Sequence, residues 1–173
     1  GQFLCPSDPI TRWNPLFGTT SYVASAGSGA PNFGSLLDGD GVFLDGHCIR
    51  LRDVTDGLHS TAAFSETIGG NGWNSTGQLP DYHEFQYASI GRPLDPTEFN
   101  CGLATSWAGD RGSQWANGSY LFAAYNHHWT PNEALPDCVG YNGIKAITAA
   151  RSNHRGGVNV LLCDGHVVFV SDS

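Results

Sequence analysis

The chain has 173 residues, with 8 Lys+Arg against 16 Asp+Glu, a formal net charge of −8, and only 14% of its residues charged. That excludes a nucleic-acid binder, which needs clustered Lys and Arg on the phosphates, and no window approaches the roughly 18 apolar residues of a membrane span. Hydrophobic residues reach 40%, including 5 Trp, 6 Tyr and 9 Phe, while 23 Gly and 9 Pro make the chain turn-rich, so one folded domain over 1–173 is expected.

The opening Phe3-Leu4-Cys5-Pro6-Ser7-Asp8-Pro9 is a short apolar run halted by two prolines, which continue neither a helix nor a sheet interior. Residues 19–25 (TTSYVAS) are rich in β-formers and run into Ala26-Gly27-Ser28-Gly29, the pattern of a strand leaving into a loop. Asp-Gly punctuation then brackets 41–44 and 47–51, which predicts two short strands joined by a tight turn. Residues 52–59 (RDVTDGLH) fit one helical turn or a loop. Residues 60–68 (STAAFSETI) suit a central strand closed by Gly69-Gly70, with a helix as the alternative because Ala62-Ala63 and Glu66 favour one.

Residues 71–112 carry little periodicity and many turn formers, which predicts long loops with one short helix started by Asp95-Pro96. Residues 119–126 (SYLFAAYN) are a further strand candidate. The strongest signal lies at the end, where VNVLLC, then Asp164-Gly165, then HVVFV reads as a hairpin on a two-residue type I′ turn. In that register Cys163 faces His166, Leu162 faces Val167, Leu161 faces Val168 and Val160 faces Phe169. Both faces are apolar, so the hairpin is expected inside the fold. The expected class is α+β and β-rich, with an antiparallel sheet centred on this hairpin.

Five cysteines, at 5, 48, 101, 138 and 163, lack the C-x-x-C spacing of zinc and redox motifs, which speaks against zinc. Cys101 with Cys138 is the preferred disulfide, because both lie in Gly/Asn/Pro-rich stretches that a cross-link would order. Paired thiols point to an exported protein.

Asp38-Gly39-Asp40-Gly41 with Asp45 is the cation candidate: carboxylates alternating on a glycine-permitted bend suit a hard ion such as Ca²⁺. Position 12 counted from Asp38 is Ile49, so it is no EF-hand loop. The alternative is that these aspartates are ordinary turn residues. His154 and Asp164 invite a catalytic pair, but a regular strand places Asp164 roughly 20 Å from Val158, and His154 has at most about 14 Å of chain with which to fold back. Asp164-Gly165 therefore reads as a turn, and His154 as a group bonding backbone where the chain enters the sheet. Trp73, Trp107, Trp115 and Trp129 lie in loop-like stretches, where exposed aromatics stack on sugars or on partner proteins; core burial is the alternative for each. No serine elbow, zinc-protease helix or phosphate loop is present, so no enzyme is expected.

His154, nine intervening residues and Asp164-Gly165 form a His-x9-Asp-Gly signature. With it come the Phe-Leu-Cys-Pro-Ser-Asp-Pro opening, Ser21-Tyr22-Val23, Gly41-Val42-Phe43, Val54-Thr55-Asp56-Gly57 through Ser60-Thr61 to Glu66, Arg111-Gly112-x-x-Trp115-Ala116-x-Gly118, Pro131-Asn132 before Cys138, and Asn153-His154-x-Gly156-Gly157-Val158-Asn159. This set, covering nearly the whole chain, resembles the bacterial DUF1559 family, whose members look like type IV prepilins and pseudopilins. The resemblance implies the globular head of a pilin-like subunit, displayed outside the cell or at its surface and assembling with itself or with other pilin-like subunits. It also implies that a cleaved leader and a long apolar helix, the only membrane attachment, once preceded Gly1. The absence of Met agrees with a chain that has lost its beginning. The alternative is an extracellular binding module for a glycan, a peptide or Ca²⁺. A hydrolase is the third reading.

Overall fold

The computed structural model describes residues 3–9, 16–78 and 85–172. Along them run β1 (Tyr22–Ser25), β2 (Ala62–Glu66), β3 (Ser75–Thr76), β4 (Tyr87–Ser89), α1 (Glu98–Gly102), β5 (Ser106–Ala108), β6 (Ala124–Tyr125), β7 (Cys138–Gly140), β8 (Lys145–Ile147), β9 (Gly157–Leu162) and β10 (Val167–Ser171). The strands form two five-stranded sheets, in the orders β10-β9-β2-β1-β6 and β3-β5-β4-β7-β8. Each is mixed, because β1 pairs with β6 and β4 with β7 in parallel while the other pairs are antiparallel. The chain is thus β-rich, as its runs of β-formers predict, but two mixed sheets replace the antiparallel one expected. No helix among the described residues is long and apolar enough to cross a membrane.

Side chains alternate across the strands, and this decides what is buried. In the first sheet Val23, Val158 and Val160 point inward and pack with Tyr125 and Ala150. In the second, Ala88, Trp107, Cys138 and Ile147 form a buried cluster with Ile90. A third cluster joins the sheets, bringing Ala124 of β6 against Tyr87, Val139 and Ala146 of the second sheet, together with Tyr120 and Leu36.

The C-terminal hairpin forms where the sequence places it, yet one residue out of the expected register. Leu161 faces Val167, Val160 faces Val168 and Asn159 faces Phe169. The turn is the cause. Gly165 N donates to Leu162 O at 3.0 Å and Leu162 N to His166 O at 2.8 Å, closing a three-residue loop. Gly165 has φ +93° while Asp164 keeps a negative φ, whereas type I′ requires positive φ at both central positions. The hairpin is also not enclosed. β10 is the outer strand of its sheet, and Val167 is 63% and Phe169 54% exposed.

Other segments depart from expectation for equally local reasons. Residues 41–44 and 47–51 do not pair as strands, because Phe43 N donates to Ser25 O and Asp45 N to Leu36 O, while the Phe43 ring packs on Phe64 at 4.8 Å. The 119–126 stretch becomes strand only at Ala124–Tyr125, since Ser119 O accepts from the amides of Phe122, Ala123 and Ala124 in a tight turn. Within 71–112 lie three short strands, β3, β4 and β5, in place of loop alone. The helix there begins at Glu98, with Thr97 as its cap in place of the expected Asp95, its side chain accepting from Asn100 N at 3.1 Å.

Cys101 and Cys138 are bonded, as expected. They do not lie in loops: Cys101 belongs to α1 and Cys138 to the fully buried β7, so the cross-link pins the short helix to the second sheet.

Candidate functional site

The described residues bring three metal-ligand-type side chains together at one place only: Cys5, Glu66 and His154. Glu66 closes β2, directly opposite Tyr22 of β1. It shares the outer face of the first sheet with Phe64, but it is buried there because the opening segment crosses over it. That segment is anchored at several points. Ser21 N donates to Phe3 O at 2.7 Å and Asp8 N to Cys5 O at 3.0 Å. Asp8 Oδ2 in turn accepts from Ser21 Oγ at 2.9 Å and Gly69 N at 3.0 Å. The two prolines stop the segment from adding a strand, and the Asp8 bonds hold the intervening turn so that Cys5 points down onto Glu66.

His154 arrives from the other side, on the turn leading into β9. Asn132 and Ser152 build that turn. Ser152 N donates to Asn132 Oδ1 at 2.8 Å, Ser152 Oγ donates to Gly157 O at 2.8 Å, and His154 N donates to Ser152 Oγ at 3.1 Å. Gly156 takes φ +84° to reverse the chain. At Gly157 a Cβ would lie 2.2 Å from Val170 O, so only glycine admits β10 this closely.

At the centre His154 Nε2 lies 3.0 Å from Glu66 Oε1 and 3.5 Å from Cys5 Sγ, and Cys5 Sγ lies 3.7 Å from the same Oε1. The other carboxylate oxygen is engaged separately: Glu66 Oε2 accepts from Asn159 N at 2.7 Å and from Asn159 Nδ2 at 3.2 Å. Cys5 and Glu66 are buried, whereas the His154 side chain is 32% exposed and forms the solvent side of the group. Tyr22 feels the cluster, its phenol pKa being raised by burial and then by the negative charge of Cys5 and Glu66.

This geometry corrects the expectation for His154, whose ring meets a carboxylate and a thiol and not a backbone group. The expected separation of the signature holds in kind. Asp164 sits in the hairpin turn, accepting from His166 N at 3.0 Å and facing His166 Nδ1 at 3.0 Å, while His154 works in the Glu66 cluster. Gly165 supplies the positive φ.

The remaining candidates fall in separate places. Asp38, Asp40 and Asp45 do not converge as the Ca²⁺ expectation required: among the described residues no group of three such ligands includes them. Asp38 accepts from Asn32 Nδ2 at 2.8 Å and 3.0 Å, and hydrogen bonds from Ser35 and then Asn32 hold its carboxyl below its ordinary pKa. Asp40 accepts from Ser28 N at 2.7 Å and Ser28 Oγ at 2.6 Å. Asp45 joins the loop through its backbone, donating to Leu36 O. These are turn residues bonding nearby groups. Of the tryptophans, Trp107 is buried and Trp73 is 75% exposed. Trp115 stacks on Phe3 with ring centroids 5.4 Å apart. Trp129 is half-buried and lines, with Trp107 and Cys101, an apolar groove of about 640 Å³.

A family described as SBP_bac_10, a protein of unknown function (DUF1559), matches residues 1–173. The chain belongs to the DUF1559 family. No curated protein and no solved structure matches it. Three of the stretches that carry the DUF1559 resemblance in the sequence meet at the Glu66 cluster: the Cys5 opening, the run ending at Glu66, and His154 through Asn159. Sequence reasoning passed over Cys5 and Glu66 as site residues, because 61 and 88 positions separate Glu66 from Cys5 and His154 and no spacing rule spans such distances. The signal available was their placement inside those stretches.

Proposed function

We propose that this chain is the extracytoplasmic head of a pilin- or pseudopilin-like subunit, a structural and non-enzymatic part of a surface filament or secretion-type assembly. The observation that carries the reading is the open side of the first sheet. β10 ends that sheet with exposed Val167, Val168, Phe169 and Val170, whereas monomeric proteins blunt such edges with charge, proline or cover. Beside it an apolar groove of about 560 Å³ runs across the outer face, lined by Phe3, Tyr22, Phe64, Trp115, Leu161 and Val167. Packing against other pilin-like subunits or a second copy would cover both. The Cys101–Cys138 bond supports an oxidising compartment outside the cytoplasm, and the family resemblance supports the pilin-like assignment.

The test is to express the gene from its natural start in its own cells, with and without Val167→Lys and Phe169→Lys together, and to image surface material by electron microscopy. Assembled structures present in the parent and lost in the variant support the reading. Absence of assembly in the parent, or its persistence in a folded variant, overturns it.

A second reading, a binding module for a glycan or peptide, is favoured by Trp107 and Trp129 sharing the groove beside the disulfide. Glycan and peptide arrays probed with the isolated chain test it, with quenching of tryptophan fluorescence as the direct readout.

A further inference from the structure

We propose that Cys5, Glu66 and His154 bind one divalent transition metal of the zinc class, with Cys5 Sγ, Glu66 Oε1 and His154 Nε2 as ligands and water in the fourth position. A thiol, an imidazole and a carboxylate are the ligand types zinc takes. Ca²⁺ and Mg²⁺ are disfavoured by the same donors, since both prefer all-oxygen coordination.

The spacing matches. With metal–ligand lengths of about 2.0–2.3 Å at tetrahedral angles, the three donor atoms lie about 3.4–3.6 Å from one another. They stand here at 3.0, 3.5 and 3.7 Å. Opening the Nε2–Oε1 contact by a few tenths of an ångström completes the set, within the freedom of a His154 ring that faces solvent on one side.

Convergence on a single nitrogen separates this arrangement from a nucleophile relay. In a Cys–His–carboxylate relay one ring nitrogen takes the thiol proton while the other is oriented by the carboxylate. Here His154 Nε2 meets both the thiol and the carboxylate. Three donor atoms around one point is how ligands surround an ion.

The surroundings suit the role. Asn159 gives two hydrogen bonds to Glu66 Oε2 and so fixes the carboxylate while leaving Oε1 turned to the cluster, the kind of outer support that metal-binding carboxylates carry. The Asp8 bonds to Ser21 and Gly69 hold the Cys5 turn in the same way. On binding, the Cys5 thiol proton is released to solvent and His154 coordinates as the neutral ring with its proton on Nδ1, so affinity falls as pH is lowered.

The experiment titrates the metal-free chain, with its disulfide intact and its other thiols reduced, with Co²⁺ and then Zn²⁺. One equivalent of Co²⁺ is expected to give tetrahedral visible bands and a thiolate-to-cobalt charge-transfer band, both removed by Zn²⁺. In the double variant Cys48→Ser with Cys163→Ser, Cys5 is the sole free thiol, and the charge-transfer band must remain. Cys5→Ser must lose it, and His154→Ala must weaken Zn²⁺ binding at least about 100-fold, given that outer-shell changes alone cost 10–100-fold. Near-UV circular dichroism checks that each variant is folded. Zn²⁺ at about 100 times its dissociation constant should raise the parent's melting temperature by about 5–10 °C. No charge-transfer band in the parent, its loss in the sole-thiol variant, or undiminished Zn²⁺ binding in folded His154→Ala overturns the proposal. The sole-thiol variant leaves all three ligands in place, so the outcome stands even where Cys5→Ser fails to fold.

Discussion

The second sheet keeps Ala88, Trp107, Cys138 and Ile147 under cover and is tied to α1 by a disulfide. The first sheet covers Val23, Val158 and Val160 on one face but leaves Tyr22, Phe64, Val167 and Phe169 open on the other. Both sheets end in outer strands, but it is the first that carries the Cys5–Glu66–His154 cluster and the exposed apolar edge of β10. The contrast separates covered apolar surface in one sheet from open apolar surface in the other, so damage to each should show in a different measurement.

The largest expected effect lies at the seam between the sheets. Asp137 accepts from Arg151 Nε at 3.0 Å and Ala149 N at 3.0 Å and lies 3.8 Å from an Arg111 nitrogen, with all three charged side chains buried. Arg111 already has its guanidinium pKa lowered by burial. Asp137→Ala leaves two buried cations without their carboxylate and should cost about 3–5 kcal/mol in urea unfolding. A loss under about 1 kcal/mol would show that the seam is not held by charge. Next comes the disulfide. Replacing Cys101 and Cys138 by Ala opens a loop with a sequence separation of 37 and should cost about 3–4 kcal/mol, while Cys5 alkylation in the folded state, followed by mass spectrometry, stays as in the parent.

The first sheet should answer differently. Val167→Lys with Phe169→Lys touches only exposed side chains, so unfolding of the isolated chain should shift by no more than about 0.5 kcal/mol per site, while sedimentation at rising concentration shows reduced self-association. A comparable loss of stability would mean that β10 belongs to the core after all. The smallest effect is at the turn. Asp164 has its carboxyl pKa lowered, first by the hydrogen bond from the His166 backbone and then by the His166 side chain. A depressed folded pKa stabilises above the ordinary aspartate value of 3.8, and that contribution is lost as pH falls below it. The difference in melting temperature between the parent and Asp164→Asn should therefore be constant near neutrality and shrink in acid.

How much was legible in the sequence depends on how local the cause is. β1, β2 and the hairpin were readable because each is a run of β-formers ending in glycine. The hairpin register was not, since it turns on whether Asp164 as well as Gly165 adopts positive φ, and Asp-Gly allows both outcomes. β3, β4 and β5 hold two or three residues each, too few for any alternation to register, and their partners lie far along the chain. The burial expected of β10 failed because an apolar run tells that cover is wanted without telling whether this chain supplies it. The disulfide partners were identified, but their supposed loops are a helix and a buried strand. The Glu66 cluster was hidden for the plainest reason: its members come from three distant stretches, and only the packing of the opening segment and the β9 turn over β2 brings them together.

The grip of Asn159 on Glu66 has a bearing on how the molecule matures. The amide that holds the carboxylate belongs to β9, so a slip of one residue between β2 and β9 would turn the Asn159 side chain to the opposite face and leave Glu66 ungripped. Cys5 is made before His154 and must wait for it, 149 positions later. The cluster can close only once the whole span from Cys5 to Asn159 has emerged and β2 and β9 have aligned, which makes a gripped Glu66 a certificate that the first sheet reached its final register.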